Sequence, residues 1–257
     1  MDCLITKLPG EVSDGTLSKF DEISFNVHLV NSDSTNDRKL VAKYLVKVYT
    51  ARIVGNGHFT DSTNTSDLGK TATINTANTT LYLSDGDYIL YIPKYQLDVL
   101  QFAATKTGIY RMRGESLAYT PIAYGNFNYM GWPEGYSMDD FKKSSFIILN
   151  IGHTNLDLST EKLSGLTSVT TLGLTDSPNL RGSIANLAGN TAITNLYVND
   201  CPNATGAIED LLDGLYANGK KSGSLTVNAV TSGITYNGNA FSLKTFNFSS
   251  SGWVENT

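Results

Sequence analysis

Apolar residues between Phe146 and Val230 recur with a fixed rhythm. Phe146, Leu149 and Ile151 are followed by Thr154; Val169, Leu172 and Leu174 by Ser177; Ile193, Leu196 and Val198 by Cys201. The step from Leu172 to Leu196 is 24 residues, and that from Leu149 to Leu172 is 23. Asp176 and Asp200, Pro178 and Pro202, Asn179 and Asn203, Gly182 and Gly206 keep the same 24-residue offset. A weaker fourth copy is read at Leu225 and Val227, 29 residues after Leu196, with Val230 at its ninth position.

Two apolar side chains one residue apart face the same side of a strand. A lone strand cannot bury them, but parallel stacking of successive copies makes one continuous core, and about three copies are needed. The pattern therefore predicts stacked coils with Leu149, Ile151, Leu172, Leu174, Leu196 and Val198 as their core. Thr154, Ser177 and Cys201 are small enough to lie inside the coil, where a hydroxyl can bond the turning backbone. Pro178 and Pro202 fix φ at the corners, and Asn179 and Asn203 tolerate the left-handed region. Ile208, Leu211, Leu212 and Leu215 stand at helical spacing, so the third copy returns through an amphipathic helix ended by Asn218-Gly219. The outer limbs of the first two copies are expected to be single turns. Strands over 225–227, 234–236 and 241–248 are expected to cap the stack, whose last coil would otherwise expose its core.

The first hundred residues carry a different pattern. Ile23 to Leu29 alternates apolar and polar, as a half-buried strand does. Residues 40–54 are β-branched and aromatic, giving one long or two short strands, and 56–80 read as a loop or hairpin region with little to bury. Leu81-Tyr82-Leu83 and Asp87 to Ile92 flank Ser84-Asp85-Gly86, and Asp-Gly is a hairpin signal. Such short strands suggest an antiparallel sandwich or partial barrel. The expected fold class is mostly β with some α+β character. It has three parts: a β-rich domain (1–118), a connector (119–143), and repeats with a β cap (144–257).

The connector crowds Tyr124, Phe127, Tyr129, Trp132 and Tyr136 among Gly125, Gly131, Pro133 and Gly135. Flat aromatics on a rigid loop could form a contact surface for glycan or protein. Alternatively, the rings plug the first coil and join it to the β-domain. The plug is the preferred expectation.

Charge and chemistry narrow the function classes. The net charge is -5, and no basic cluster exceeds Lys142-Lys143 or Lys220-Lys221, which argues against nucleic-acid binding. No apolar run reaches the roughly 18 residues of a membrane span. Cys3 and Cys201 lie in different halves, so no disulfide framework is expected. His28, His58 and His153 share no metal-binding spacing, and the polar loop 31–37 lacks the Gly and Glu of a calcium loop. Asp85 and Asp87 could share a face as paired carboxylates, but their place around a turn Gly makes turn formation the preferred reading. Neither a nucleophile elbow nor a phosphate loop occurs. No metal, cofactor or enzymatic activity is expected.

The wording of the repeats, Leu172-Gly-Leu-Thr-Asp-Ser-Pro-Asn-Leu180 followed by Gly182-Ser-Ile184, resembles the leucine-rich repeats of Bacteroides-type bacteria and their tailed phages. Ala204 replaces the usual Leu in the third copy. The opening, Met1 to Gly10 followed by Asp14-Gly-Thr-Leu17, is similar to the starts of structural proteins of such phages, the crAss-like group included. This resemblance implies a leucine-rich-repeat solenoid in a non-enzymatic virion part, tail- or head-associated. Its β-domain would dock to the particle, and its repeats would mediate protein–protein or receptor contacts. Other virion proteins would be its partners, in a multi-copy or homo-oligomeric symmetric assembly, with a host-surface glycan or protein as a further partner. The start MDCLITKLPGEV lacks a secretory signal pattern, which suits a part assembled in the host cytoplasm. A bacterial cell-surface binding module or adhesin and a glycan-active enzyme are the rival expectations.

Overall fold

A computed structural model describes residues 22–30, 38–44, 51–61, 68–74, 78–93, 97–103, 109–113, 122–128, 130–131, 139–142, 144–154 and 158–256. The fold is mostly β. Nine strands open it: β1 (Glu22–Val30), β2 (Arg38–Tyr44), β3 (Ala51–Gly55), β4 (Phe59–Asp61), β5 (Thr71–Ile74), β6 (Thr79–Leu83), β7 (Gly86–Pro93), β8 (Leu97–Ala103) and β9 (Ile109–Arg113). The chain changes sheet at every step. One sheet runs β9-β1-β7-β3-β5, the other β8-β2-β6-β4. All pairings among them are antiparallel. Because β1 pairs with β7, β2 with β6 and β3 with β5, the path is a ribbon folded back at β4 and rolled over two layers, as in a jelly roll. Ile53, Ile74 and Tyr88 from one layer and Phe59, Leu81 and Leu83 from the other are buried. The Phe59 and Tyr88 rings meet between the layers at 6.0 Å. Among the described residues no sheet closes into a barrel.

Two sequence expectations change here, and one open choice is resolved. Ser84-Asp85-Gly86 does not make a hairpin, because β6 and β7 lie in different sheets. Leu81, Leu83 and Tyr88 are all buried, so the turn carries the chain across the core. The Tyr88 hydroxyl holds it there, within 2.9 Å of the Ser84 carbonyl and 3.0 Å of the His58 carbonyl. Residues 40–54 supply two strands, β2 and β3, one to each layer. The Thr-rich stretch 56–80 also buries more than its composition suggests. Phe59 is enclosed, and Thr71-Ala72-Thr73-Ile74 alternates exposed and buried along β5.

The rest of the chain adds β10 (Tyr124–Asn126), β11 (Met130–Gly131), a short helix α1 (Asp139–Lys142), β12 (Ile148–Asn150), β13 (Thr171–Gly173), β14 (Gly182–Ser183), β15 (Asn195–Tyr197), β16 (Ala204–Ala207), helix α2 (Ile208–Ala217), β17 (Gly223–Asn228), β18 (Gly233–Tyr236), β19 (Asn239–Ala240), β20 (Leu243–Ser249) and β21 (Gly252–Glu255). Strands β12, β13, β15 and β17 pair in parallel, with Leu149, Leu172, Leu196 and Val227 in one row. All four are fully buried. Ile151, Leu174 and Val198, two residues on, are buried as well. The returning limbs form a second parallel set, β14-β16-β18, to which β19 adds antiparallel. A 3-10 turn at Ile184–Gly189 and helix α2 complete the outer side. Helix α2 buries the four residues at helical spacing, Ile208, Leu211, Leu212 and Leu215.

The fourth copy is displaced by two residues from its expected register. Leu196 pairs with Val227, not Leu225, a step of 31 residues. Val227 and Ala229 thus take the places of Leu196 and Val198, and the ninth position falls on Ser232 rather than Val230. Backbone conformation confirms the alignment. His153, Asp176, Asp200 and Thr231, each immediately before the ninth position, all have positive φ, between 51° and 54°. The longer step accommodates the ten residues of α2, where the preceding coil makes only a 3-10 turn. Antiparallel β20 and β21 then extend the sheet past the last coil, burying Phe246 and Phe248. Among the described residues no helix is long and apolar enough to cross a membrane.

Candidate functional site

Strand β10 is where the rolled ribbon and the coils meet. It pairs in parallel with β8 on one side and β12 on the other, so one sheet of eleven strands runs from β4 to β21. The hydrogen-bonded sheet thus continues across the boundaries expected at residues 118 and 143. At the inward position, where the coils carry Leu149, Leu172 and Leu196, β10 has Gly125. A Cβ there would stand 2.5 Å from the Phe146 ring and 2.7 Å from that of Phe127. Those two rings and Phe141 of α1 pack together with centroids 5.7 to 5.8 Å apart. Aromatic volume therefore takes the place of the missing leucine.

Phe127 is 0% exposed, packed against Phe141 and Phe146, and so does not lie on a contact surface. Tyr124 is half-buried on the outward face of β10. Tyr129, Trp132 and Tyr136 lie outside the described residues.

The buried row defines a second, outward face. Level with the residue before it, β10, β12, β13, β15 and β17 present Tyr124, Ile148, Thr171, Asn195 and Thr226, and antiparallel β20 presents Thr245. Level with the residue after it they present Asn126, Asn150, Gly173, Tyr197 and Asn228, and β20 presents Leu243. None of these twelve positions is charged, in a chain that is 17% charged. Tyr197 is 37% exposed near the middle. Asn195 Nδ2 donates to Thr171 Oγ1 at 3.4 Å, and the Thr226 and Thr245 hydroxyls meet at 3.0 Å. At Gly173 a Cβ would lie 2.2 Å from Asn150 Oδ1, so the Asn150 amide occupies that space. No catalytic or metal-binding spacing in the sequence marks this face. Its signal in the sequence is the polar residues that flank each buried leucine, which a core pattern treats as spacers.

Other chemically interesting groups serve the fold. Cys201 is fully buried, and its thiol donates to the Leu174 carbonyl at 3.0 Å. Burial pushes its pKa up to about 11, the opposite of what a nucleophilic thiol needs. Ser232 Oγ donates to the Ala229 carbonyl at 2.7 Å, the backbone bond expected of a ninth-position hydroxyl. Ser177 Oγ breaks that expectation, being buried without a hydrogen-bond partner among the described residues. Small size, common to Ser and Cys, is what this position requires. Asn190 is buried between two coils, accepting from Leu166 N–H at 2.8 Å and donating to the Leu163 carbonyl at 3.0 Å.

His153, at the first corner, places Nδ1 3.0 Å from Asp176 Oδ2 of the next coil. Among the described residues no three His, Cys, Asp or Glu side chains are grouped to hold a metal ion. Asp87 is engaged in the turn, its N–H donating to Asn56 Oδ1 at 2.6 Å. Cys3 and the polar loop 31–37 lie outside the described residues. Lys221 Nζ donates to the Tyr216 carbonyl at 2.7 Å, as a cation at a helix C-terminus should. Lys220 instead folds under the cap, with Nζ 3.3 Å from the Thr191 carbonyl, and burial lowers its pKa. Compared with protein-family models, curated proteins and solved structures, the chain matches none.

Proposed function

We propose that the protein is a non-enzymatic structural part of a tailed-phage virion. Its coils are a leucine-rich-repeat solenoid, and its rolled β-domain, a jelly-roll sandwich, docks to the tail or head. The observation that carries this reading is the single sheet continuing from β4 to β21 through β10. A sheet without a break couples a docking domain to a display surface with no hinge between them, which is what a part that works by holding geometry requires. Two further points support it. The repeat wording resembles that of phage and Bacteroides-type repeats, and rolled double sheets recur in viral capsid and lectin domains, an argument from fold analogy. The polar groups that could suggest chemistry, Cys201, Asn190 and Tyr88, are tied into the core by backbone bonds.

An immunoblot of density-purified phage particles, run beside membrane, surface and cytosolic fractions of uninfected host cells, tests the proposal. Co-sedimentation of the protein with intact particles is expected. A band found only in uninfected cells would contradict it and favour a bacterial cell-surface binding module.

A further inference from the structure

The outward face described above carries no charged side chain on six consecutive strands, yet it is rich in groups that both donate and accept hydrogen bonds. Asn126, Asn150, Asn195 and Asn228 offer amides, and Thr171 and Thr226 offer hydroxyls. Tyr197 stands among them as an exposed ring. The strands hold these groups at the regular spacing of a sheet, about 4.8 Å apart. Order is therefore imposed by the backbone, and little side-chain freedom remains to be lost on binding.

We infer that this face binds a neutral glycan chain lying across the strands. The match is one of chemistry. Sugar hydroxyls donate and accept, as Asn and Thr do, and the apolar face of a sugar ring stacks on an aromatic such as Tyr197. Charge decides against other polymers. Nucleic acid and acidic polysaccharide would find no cation on this face, and a charged peptide would lose hydration there without a partner. The inference rests on reading the coils as an interaction surface, but not on which particle carries them.

The test uses the purified full chain in affinity electrophoresis through gels containing dextran, mannan or laminarin, with polygalacturonate as the charged control. At least one neutral polymer is expected to retard the protein, and polygalacturonate is not. Tyr197→Ala should weaken that retardation about tenfold, the loss of one stacked ring. Asn150→Asp, nearly isosteric, should weaken it several-fold by replacing amide donors with a carboxylate. Tyr82→Ala, at another exposed tyrosine of the same sheet, should leave it unchanged. No retardation by any of the three neutral polymers would overturn the inference. So would retardation unaffected by Tyr197→Ala and Asn150→Asp, or equal retardation by polygalacturonate. Particle association, read separately by immunoblot, stands or falls independently of these results.

Discussion

The coils and the rolled ribbon are built from the same element, the short strand, but they order it differently. In the coils, strands that follow one another along the inner row are neighbours in space, displaced by 23, 24 and 31 residues. In the ribbon, successive strands are never neighbours, and β1 finds its partner in β7. Each coil therefore depends on the coils beside it, whereas each ribbon strand depends on the whole roll. Stability should be distributed along the first region and shared all at once in the second.

The strongest way to break this comparison is excision. Removing residues 171–194, one whole coil, brings Asn195 to the position of Thr171 and lets β15 pair directly with β12, given the register Thr171 to Asn195. The shortened protein is expected to fold, with a lower melting temperature. Excising β6, which lies between β2 and β4, should abolish folding of the ribbon. Circular dichroism melts of the two deletions separate these outcomes. Equal tolerance in both regions would remove the distinction.

The next largest effect is expected where the two regions join. Phe127→Ala empties the volume left by Gly125, and should cost about 3–5 kcal/mol by chemical denaturation. It should also split one unfolding transition into two, with the coils retaining structure after the ribbon detaches. A simple shift of a single transition would mean that β10 is not what couples the regions.

These positions also show which features could be read from the sequence. The buried rows, the corners and helix α2 were legible because a coil writes the same spacing each time it passes the core. The ribbon has no such period. Asp85-Gly86 announced a reversal of the chain, but a turn signal does not say whether the next strand pairs beside the last or crosses to another layer. The fourth copy was misaligned because Leu225 and Val227 are both fully buried in β17 and both fit an apolar template. Only the corner conformation at Thr231 and the pairing of Val227 fix the register. β10 was hidden more deeply, because its inward residue is Gly125 and the apolar volume that replaces a leucine comes from Phe127 and Phe146.

Smaller effects sharpen the account inside the coils. Ser177→Ala removes a buried hydroxyl that has no partner among the described residues, and is expected to raise stability by about 1 kcal/mol. The equivalent change at Ser232, whose hydroxyl bonds the backbone, should lower it. Least effect at neutral pH is expected from Cys201→Ser, but pH reveals the thiol. Its pKa rises from 9.0 to about 11 on burial, so the folded state favours the protonated form. That contribution is complete below about pH 9 and disappears as the pH rises toward 11. Denaturation midpoints across this window should fall more steeply for the native chain than for Cys201→Ser.

Hydrogen exchange read by mass spectrometry on the intact protein tests the central claim, that one continuous sheet joins the two regions. If β10 is a paired strand within it, the amides of Tyr124–Asn126 should exchange as slowly as those of Ile148–Asn150 in β12, and both should lose protection together as denaturant is added. Rapid exchange at 124–126 beside persistent protection at 148–150 would contradict it, leaving two domains joined by a loop.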